Sequence, residues 1–321
     1  MAQQPNNKKK QASKDASRAV ATTSKRTAPT KAQRRSTSSL LTWGAIALVV
    51  VVVAVLVIVK ISGGSSTSGG GGGSSSPAPA SIVRDVTTIP ATVFDTVGIT
   101  SPSVPVSKPT QIKGQPALTF TDPAGGAKPG VLYVGAEYCP YCAAQRWSVV
   151  AALSRFGTFA NLGITQSSAK DVFPNTQTLS FYKATFTSPY LVFQGVEQSS
   201  NVSDPTTGYK KLQALTKAQA ALINKYDTAK FLQGASPGSI PFLDIGNQFL
   251  SAGSSYSPSI LSGLSRSDIA SNLSDPTNPA TQAIVATANY LSASICATTK
   301  QQPSAVCGSK GVTAAAKAMG L

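Results

Sequence analysis

The stretch that decides the fold is Val131–Gly157, which reads VLYVGAEYCPYCAAQRWSVVAALSRFG. Its first four residues are apolar and favour a strand, and Gly135 ends the run, a pattern typical of a strand buried on both faces of a sheet. A helical pattern begins at Pro140, which suits the first position of a helix because its missing N–H needs no partner there. Gly157 is expected to stop that helix. The sequence therefore predicts that Cys139-Pro140-Tyr141-Cys142 lies where a central strand passes into a helix.

This position gives the two cysteines a specific chemistry. Cys139 is expected to cap the helix, where unpaired backbone N–H groups and the positive end of the helix dipole stabilise a thiolate and lower its pKa. Cys142 follows three residues later, on the same face of the helix and within bonding reach. In such a pair the first sulfur attacks a substrate disulfide and the second resolves the mixed disulfide. We therefore predict that Cys139 is the nucleophile and Cys142 the resolving cysteine.

A C-x-x-C is alternatively half of a zinc site or a static disulfide. A structural zinc site wants a second C-x-x-C or histidines, whereas this chain has no histidine and its other two cysteines have ten residues between them. The absence of histidine also excludes Ser-His-Asp and Cys-His catalysis and histidine-ligated zinc or haem. Two methionines make a thioether metal site implausible. The sequence thus favours a redox pair that needs no metal and no cofactor.

The first 80 residues differ from the rest in composition and divide into three segments. Residues 1–39 hold ten Lys or Arg against one acid and are predicted to form a disordered basic tail. Residues 40–61 contain LLTWGAIALVVVVVAVLVIV, which is long enough as a helix to cross a bilayer. It is longer than the apolar region of a signal peptide, so we expect an uncleaved transmembrane helix. Residues 62–80 are rich in Gly, Ser and Pro and are predicted to be a linker.

The charge distribution predicts the orientation of this anchor. Ten basic residues precede it, and after it only Lys60 is basic before Arg84. The positive-inside rule places the tail in the cytoplasm, so residues 81–321 form an extracytoplasmic domain of a single-pass cell-membrane protein. The net charge is +16, of which the tail and Lys60 contribute +10. A basic tail beside a membrane is more often a topology signal that contacts anionic lipid than a nucleic-acid arm, so we expect lipid and no nucleic acid as a partner.

Strand, C-P-Y-C and helix together resemble the thioredoxin fold, an α/β fold with a mixed sheet flanked by helices. The second landmark of that superfamily is a cis proline before a strand, and Gly238–Asn247 (GSIPFLDIGN) fits it, although an ordinary turn proline is the alternative. The resemblance implies that Pro241 lies against the cysteine pair and that Ile240 pairs with the backbone of a bound substrate. We also assign Tyr141 to substrate binding.

The two landmarks lie far apart along the chain, since Cys139 and Pro241 are 102 positions apart. Minimal thioredoxins have far less between them, so we expect an insertion, as in the disulfide-forming proteins of the bacterial envelope. Within it, residues 178–183 and 190–196 are predicted strands, and Thr216-Lys217-Ala218-Gln219 fits a capping box that opens a helix.

The full pattern is similar to a membrane-anchored family catalogued as domain of unknown function 929, whose members look like thioredoxin-fold proteins behind an N-terminal anchor. The stretches that carry the resemblance are the C-P-Y-C, residues 173–182 (FPNTQTLSFY) and residues 188–197 (SPYLVFQGVE). It covers roughly residues 81–300 and implies a fold, with no established activity.

Three departures from thioredoxin concern the cysteine pair. Tyr138 stands where thioredoxin has a tryptophan, and Tyr133 stands where it has a buried aspartate. Glu137 is then the nearest carboxylate and a candidate proton acceptor for Cys142, the alternative being a solvated surface residue. The Pro-Tyr dipeptide, which glutaredoxins also use, does not fix the direction of electron flow, while the envelope context leans toward an oxidase or isomerase.

The second cysteine pair is Cys296 and Cys307. A helix is expected to begin at Pro279 with Asn278 as its cap, and Cys296 lies near its end. In an oxidising exterior the two cysteines are expected to form a structural disulfide. The alternative is a relay that exchanges electrons with the C-P-Y-C.

Two functions remain open from the sequence. The first is a membrane-tethered thiol-disulfide oxidoreductase that acts on the thiols and disulfides of exported proteins and is served by an unidentified redox partner. The second is a non-catalytic thioredoxin-fold scaffold of the cell envelope, stabilised by two structural disulfides. The first requires that the Cys139 sulfur reach solvent and lie close to Pro241.

Overall fold

The computed structural model describes residues 75–321 of the chain. The predicted basic tail, the predicted transmembrane helix and residues 62–74 of the predicted linker lie outside the described residues. Within residues 75–321, no helix combines the length and the apolar character that crossing a membrane requires.

The strands, in chain order, are β1 (Ser76–Pro77), β2 (Thr110–Gln111), β3 (Thr119–Thr121), β4 (Ala127–Gly135), β5 (Thr158–Ala160), β6 (Gly163–Gln166), β7 (Gln177–Ser180), β8 (Thr185–Thr187), β9 (Val192–Glu197), β10 (Ser199–Asp204), β11 (Gly208–Lys211), β12 (Phe242–Ile245) and β13 (Phe249–Ala252). The α-helices are α1 (Ala80–Thr87), α2 (Ala91–Val97), α3 (Pro140–Leu153), α4 (Lys217–Tyr226), α5 (Arg266–Asn272), α6 (Pro279–Thr298), α7 (Ser304–Cys307) and α8 (Lys310–Met319), and a 3-10 helix covers Pro258–Leu261.

Strand β4 is the centre of a mixed sheet. On one side β12 runs antiparallel to it, with Phe242 opposite Val134, and β13 and β2 extend the sheet beyond β12. Strand β9 runs parallel to residues 130–135 of β4. Strand β3 pairs with the first residues of β4, at 127–129. Residues 131–135 are all buried, which confirms the prediction of a strand covered on both faces.

Helices cover both faces of this sheet. Val131 and Tyr133 point into the larger core, where α3 packs against α6. Leu132 and Val134 point into a second apolar cluster that includes Tyr226 from the end of α4. The alternation follows from the two-residue period of a strand. The predicted α/β class, with a mixed sheet flanked by helices, is confirmed.

Between α3 and β12 the chain forms β5 to β11 and α4. The predicted strands at 178–183 and 190–196 correspond to β7 and β9, shifted by one to three residues. The predicted capping box is present, since the Gln219 N–H donates to Thr216 Oγ1 at 3.2 Å and the Thr216 N–H to Gln219 Oε1 at 2.9 Å. Strands β1, β6 and β7 make a small antiparallel sheet, so Ser76 and Pro77, at the end of the predicted linker, are paired with β6.

The ends of two helices can be compared with their predicted positions. Helix α6 begins at Pro279, and Asn278 Oδ1 accepts from the next two free N–H groups, as predicted. Helix α3 ends at Leu153, before the expected stop at Gly157. Gly157 is needed for another reason: a Cβ there would collide with the carbonyl oxygen of Thr187.

Candidate functional site

The first turn of α3 holds the cysteine pair. Cys139 is the N-cap residue and Pro140 the first helical residue, as predicted. The Cys139 sulfur accepts the backbone N–H of Cys142 at 3.3 Å. Both cysteines are free thiols. The fold therefore brings the two sulfur atoms together at the carboxyl end of β4, where the helix presents its unpaired N–H groups.

The loop before β12 closes on the same thiol. The Ile240–Pro241 peptide bond is cis, as the sequence predicted. The Cys139 thiol donates to the Ile240 carbonyl oxygen at 3.7 Å, although the two residues are 101 positions apart. The structure thus brings Cys139, Ile240 and Pro241 to one place.

The two thiols differ in acidity. The pKa of Cys139 lies below that of a free cysteine, first because the Cys142 thiol donates to its sulfur and then because the Cys142 backbone N–H does so, against the opposing effect of burial. Burial raises the pKa of Cys142 well above the ordinary value, and the hydrogen bond to Cys139 adds to this. Cys139 therefore ionises first, which is the order that the predicted roles require.

Access to the sulfur is narrower than expected. Cys139 is only 5% exposed and Cys142 fully buried, whereas Tyr141 between them is 40% exposed. An open groove of about 490 Å³ is lined by Tyr141, which lies between the two cysteines in the sequence, and by Ser239 and Ile240, whereas neither cysteine is part of its lining. Residues 250–255 of β13 and the following loop also line this groove. Two of the three predicted substrate-binding residues therefore line one groove.

A buried ion pair lies under the cysteine pair, and the sequence analysis missed it. Arg146 on α3 donates to both carboxylate oxygens of Glu197 at the end of β9, at 2.8 and 2.7 Å, and both side chains are 0% exposed. Arg146 also donates to the Ala136 carbonyl at 2.7 Å. Its Nη1 has no hydrogen-bond partner within residues 75–321. Arg146, one turn after Cys142, is the one charged residue of α3, and a lone charge in a mostly apolar helix is the signal that could have found it.

Tyr133 completes this buried polar set. Its side chain is 0% exposed, and its hydroxyl is without a hydrogen-bond partner in the part of the chain that the structure describes. Burial raises its pKa well above the ordinary value, while the positive charge of Arg146 opposes the shift. Its ring packs edge-on against Phe181 at 4.9 Å. The phenol is therefore neutral, and the ionised groups of the set are Arg146 and Glu197.

Glu137 is buried, so the alternative of a solvated surface residue is wrong. Its carboxylate accepts from Ser180 Oγ at 2.6 Å and from Thr165 Oγ1 at 3.4 Å, both on the β6–β7 hairpin. Burial raises its pKa. A role as proton acceptor for Cys142 stays a prediction.

The remaining cysteines are bonded to each other. Cys296 near the end of α6 and Cys307 at the end of α7 form a disulfide with their Cα atoms 5.6 Å apart. The predicted pairing is confirmed. Among the described residues there is no group of three His, Cys, Asp or Glu side chains that could hold a metal ion.

Comparison with known proteins identifies the family. The model of a family described as a domain of unknown function, DUF929, matches residues 118–297, more than half of the chain. The chain belongs to this family, as the resemblance indicated. No curated protein and no solved structure matches it.

Proposed function

We propose that this protein is a thioredoxin-like thiol-disulfide oxidoreductase that exchanges disulfides with exported proteins through Cys139 and Cys142. One observation carries the proposal: the thiol of lowered pKa at the start of α3 lies 3.7 Å from the carbonyl oxygen of Ile240, and Ile240 lines an open groove. A nucleophilic thiolate needs both the helix N-terminus that stabilises its charge and a surface on which a substrate can lie.

The exchange follows from these positions. The Cys139 thiolate attacks one sulfur of a substrate disulfide, a mixed disulfide forms, and the other substrate sulfur leaves as a thiolate. Cys142 then loses its proton and attacks the Cys139 sulfur, which releases the second substrate thiol and leaves a Cys139–Cys142 disulfide. The same steps run in reverse oxidise a substrate dithiol. Because Cys139 ionises before Cys142, Cys139 is the attacking sulfur when a substrate disulfide is reduced. When a substrate dithiol is oxidised, Cys142 leaves in the first step and Cys139 leaves from the mixed disulfide in the second.

The groove supports a polypeptide substrate. Tyr141 offers an exposed ring beside the nucleophile, and Ile240 offers backbone groups next to it. We assign Tyr141, Ile240 and Pro241 to holding an extended segment across the Cys139 sulfur. Hydrogen bonds to the substrate backbone depend little on the identity of the substrate side chains, so we expect a range of exported proteins as substrates.

The proposal includes the membrane location. The uncharged run within residues 40–61 is the anchor, and the basic residues before it hold the tail in the cytoplasm. Residues 81–321 then lie outside, where disulfides form and persist. The Cys296–Cys307 disulfide suits such a compartment.

Alkylation and exchange measurements test the proposal. In the reduced full-length protein, the rate of Cys139 alkylation against pH should have a midpoint below the value of about 8.5 of a free cysteine. A Cys142→Ser variant should accumulate mixed disulfides with exported proteins in cells. The matched Cys139→Ser variant should accumulate none. A midpoint at or above the free value, together with no mixed disulfides, would refute the enzyme.

A second candidate is the non-catalytic scaffold, and the burial of the cysteines favours it. Cys139 is only 5% exposed and Cys142 is 0% exposed, so a disulfide between them would be buried like a structural disulfide. The scaffold predicts that the Cys139–Cys142 disulfide resists a glutathione buffer and that its reduction unfolds the protein. The oxidoreductase predicts reversible reduction with the fold retained, which circular dichroism can follow.

A further inference from the structure

We propose that the buried Arg146–Glu197 pair sets the redox poise of the Cys139–Cys142 couple: Arg146 is a positioning residue that stabilises the reduced, thiolate-bearing state, and Glu197 holds and partly offsets its charge. The inference rests on the proposed function. It goes further by naming one residue that raises the reduction potential of the couple and one that lowers it.

The pair is poorly explained as a structural element. Both side chains are fully buried, and the desolvation of two such charges usually cancels or exceeds their attraction. Apolar residues of similar size would stabilise the core at least as well. Arg146 is also incompletely satisfied, because its Nη1 finds no partner among the described residues. A buried donor without a partner is rare and calls for a reason.

The position of Arg146 supplies that reason. It follows Cys142 by four residues on α3, so both lie on one face of the helix. Its hydrogen bond to the Ala136 carbonyl ties the guanidinium to the turn that carries Cys139, and its bonds to Glu197 tie it to β9. The charge is therefore fixed relative to both sulfur atoms. The neutral Tyr133 phenol adds no competing charge beside it.

The two members of the pair act on the thiols with opposite signs. The positive charge of Arg146 lowers the pKa of Cys139 and of Cys142, whereas the negative charge of Glu197 raises that of Cys142. A low-dielectric interior screens these effects little. Loss of packing in either variant would destabilise the fold, but only the two charges would move the thiol equilibrium in opposite directions.

The link to electron flow is thermodynamic. In one exchange a substrate dithiol loses two electrons and two protons and forms its disulfide. The Cys139–Cys142 disulfide takes up the two electrons and becomes a thiolate and a thiol, and the second proton goes to solvent. A charge that stabilises this thiolate lowers the free energy of the reduced state. The reduction potential therefore rises, and the disulfide becomes a stronger oxidant.

Opposite shifts in two variants test the inference. The full-length protein is equilibrated with glutathione redox buffers, and the fraction of Cys139–Cys142 disulfide is measured by alkylation and mass. Arg146→Met should shift the equilibrium about tenfold toward the disulfide, which lowers the potential by about 30 mV. Glu197→Gln should shift it in the other direction. The pH midpoint of Cys139 alkylation should rise in the first variant and fall in the second.

Control variants separate charge from packing. Arg146→Lys keeps the charge and should stay within about twofold of the wild type, whereas a larger shift toward the disulfide would mean that hydrogen-bond geometry rather than charge matters. Tyr133→Phe removes a neutral hydroxyl and should change the equilibrium little. If Arg146→Met does not fold, the inference is still tested by Glu197→Gln, which should shift the equilibrium toward the dithiol, and by Arg146→Lys, which should leave it within about twofold of the wild type.

The outcomes distinguish this inference from the proposed function. Equal shifts of the same sign in Arg146→Met and Glu197→Gln, or no shift in either, would overturn the inference while leaving the oxidoreductase in place. A wild-type protein whose Cys139–Cys142 disulfide never exchanges with glutathione would overturn both. Opposite shifts of the expected sign support both.

Discussion

Replacing Asp244 by asparagine is expected to stabilise the protein at pH 8 and to remove a pH dependence of its stability. Asp244 lies in β12, opposite Leu132 on one side and Leu250 on the other, and its side chain is 0% exposed. One carboxylate oxygen accepts the Asn247 N–H at 2.8 Å. The other, Oδ2, has no hydrogen-bond partner within the described chain. Burial of this carboxyl is the main cause that raises its pKa from 3.8 to about 7.

The sign and size follow from this pKa. Between pH 3.8 and about 7 the folded protein keeps a proton on Asp244 that the unfolded chain has released. The contribution to stability is therefore greatest below the unfolded value and is lost as pH rises toward 7. At about 1.4 kcal/mol per pH unit, the full loss is about 4 kcal/mol. An asparagine carries no charge, and its side-chain oxygen keeps the bond to the Asn247 N–H.

Urea unfolding followed by circular dichroism at pH 5 and pH 8 measures the effect. The difference between Asp244→Asn and wild type should favour the variant by about 2 to 3 kcal/mol more at pH 8 than at pH 5, because the part of the loss that falls between pH 5 and about 7 lies in this interval. Using this difference cancels the titration of other groups. Asp85→Asn, at a carboxylate that pairs with the adjacent exposed Arg84, is the matched control and should show no such change. If the free energy of unfolding of the variant differs from that of the wild type by the same amount at both pH values, the reasoning is refuted.

Three further predictions concern stability and are measured by the same unfolding assay. Cys296→Ala with Cys307→Ala should cost about 3 kcal/mol, because the disulfide joins residues 11 positions apart; an unchanged free energy of unfolding would contradict this. Gly157→Ala should cost about 1 to 3 kcal/mol, since its Cβ would collide with the Thr187 carbonyl oxygen. An unchanged free energy of unfolding would show that the backbone around Thr187 moves aside at no cost. Asn278→Ala should cost about 1 kcal/mol through the loss of the cap of α6, and Asn278→Asp, which keeps a cap oxygen, should cost less.

The parts of the fold that the sequence predicts are those set by neighbours along the chain. The cap at Cys139 with Pro140 behind it, the capping box at Thr216 and the cap at Asn278 all depend on residues within one turn. Each supplies a partner for an N–H group that has none inside the helix. Such patterns have the same physical meaning in any protein, so they can be found without knowledge of the tertiary structure.

The parts that it does not predict depend on distant residues. Nothing near Arg146 in the sequence indicates that Glu197, 51 positions later, will meet it. Glu137 was expected in solvent because a lone carboxylate usually is, yet the β6–β7 hairpin covers it. Helices α1 and α2 lie in a proline-punctuated stretch where no helix was predicted, and they are held by packing against later elements. Tertiary contacts decide all three.

The burial of Cys139 constrains any substrate that the proposed exchange could use. Sulfur attack on a disulfide needs only one approach direction, so a sulfur with little exposed area still reacts if that direction is open. Ile240, whose carbonyl accepts from the Cys139 thiol, lines the open groove together with Tyr141 and residues 250–255, so we expect a substrate to approach from this groove. An extended chain can lie along an open groove of about 490 Å³ and contact more of it than a rigid convex surface does. For the proposed exchange we therefore expect substrates whose cysteines lie in unfolded or mobile segments, such as exported proteins that have not completed folding, rather than native disulfides buried in finished domains.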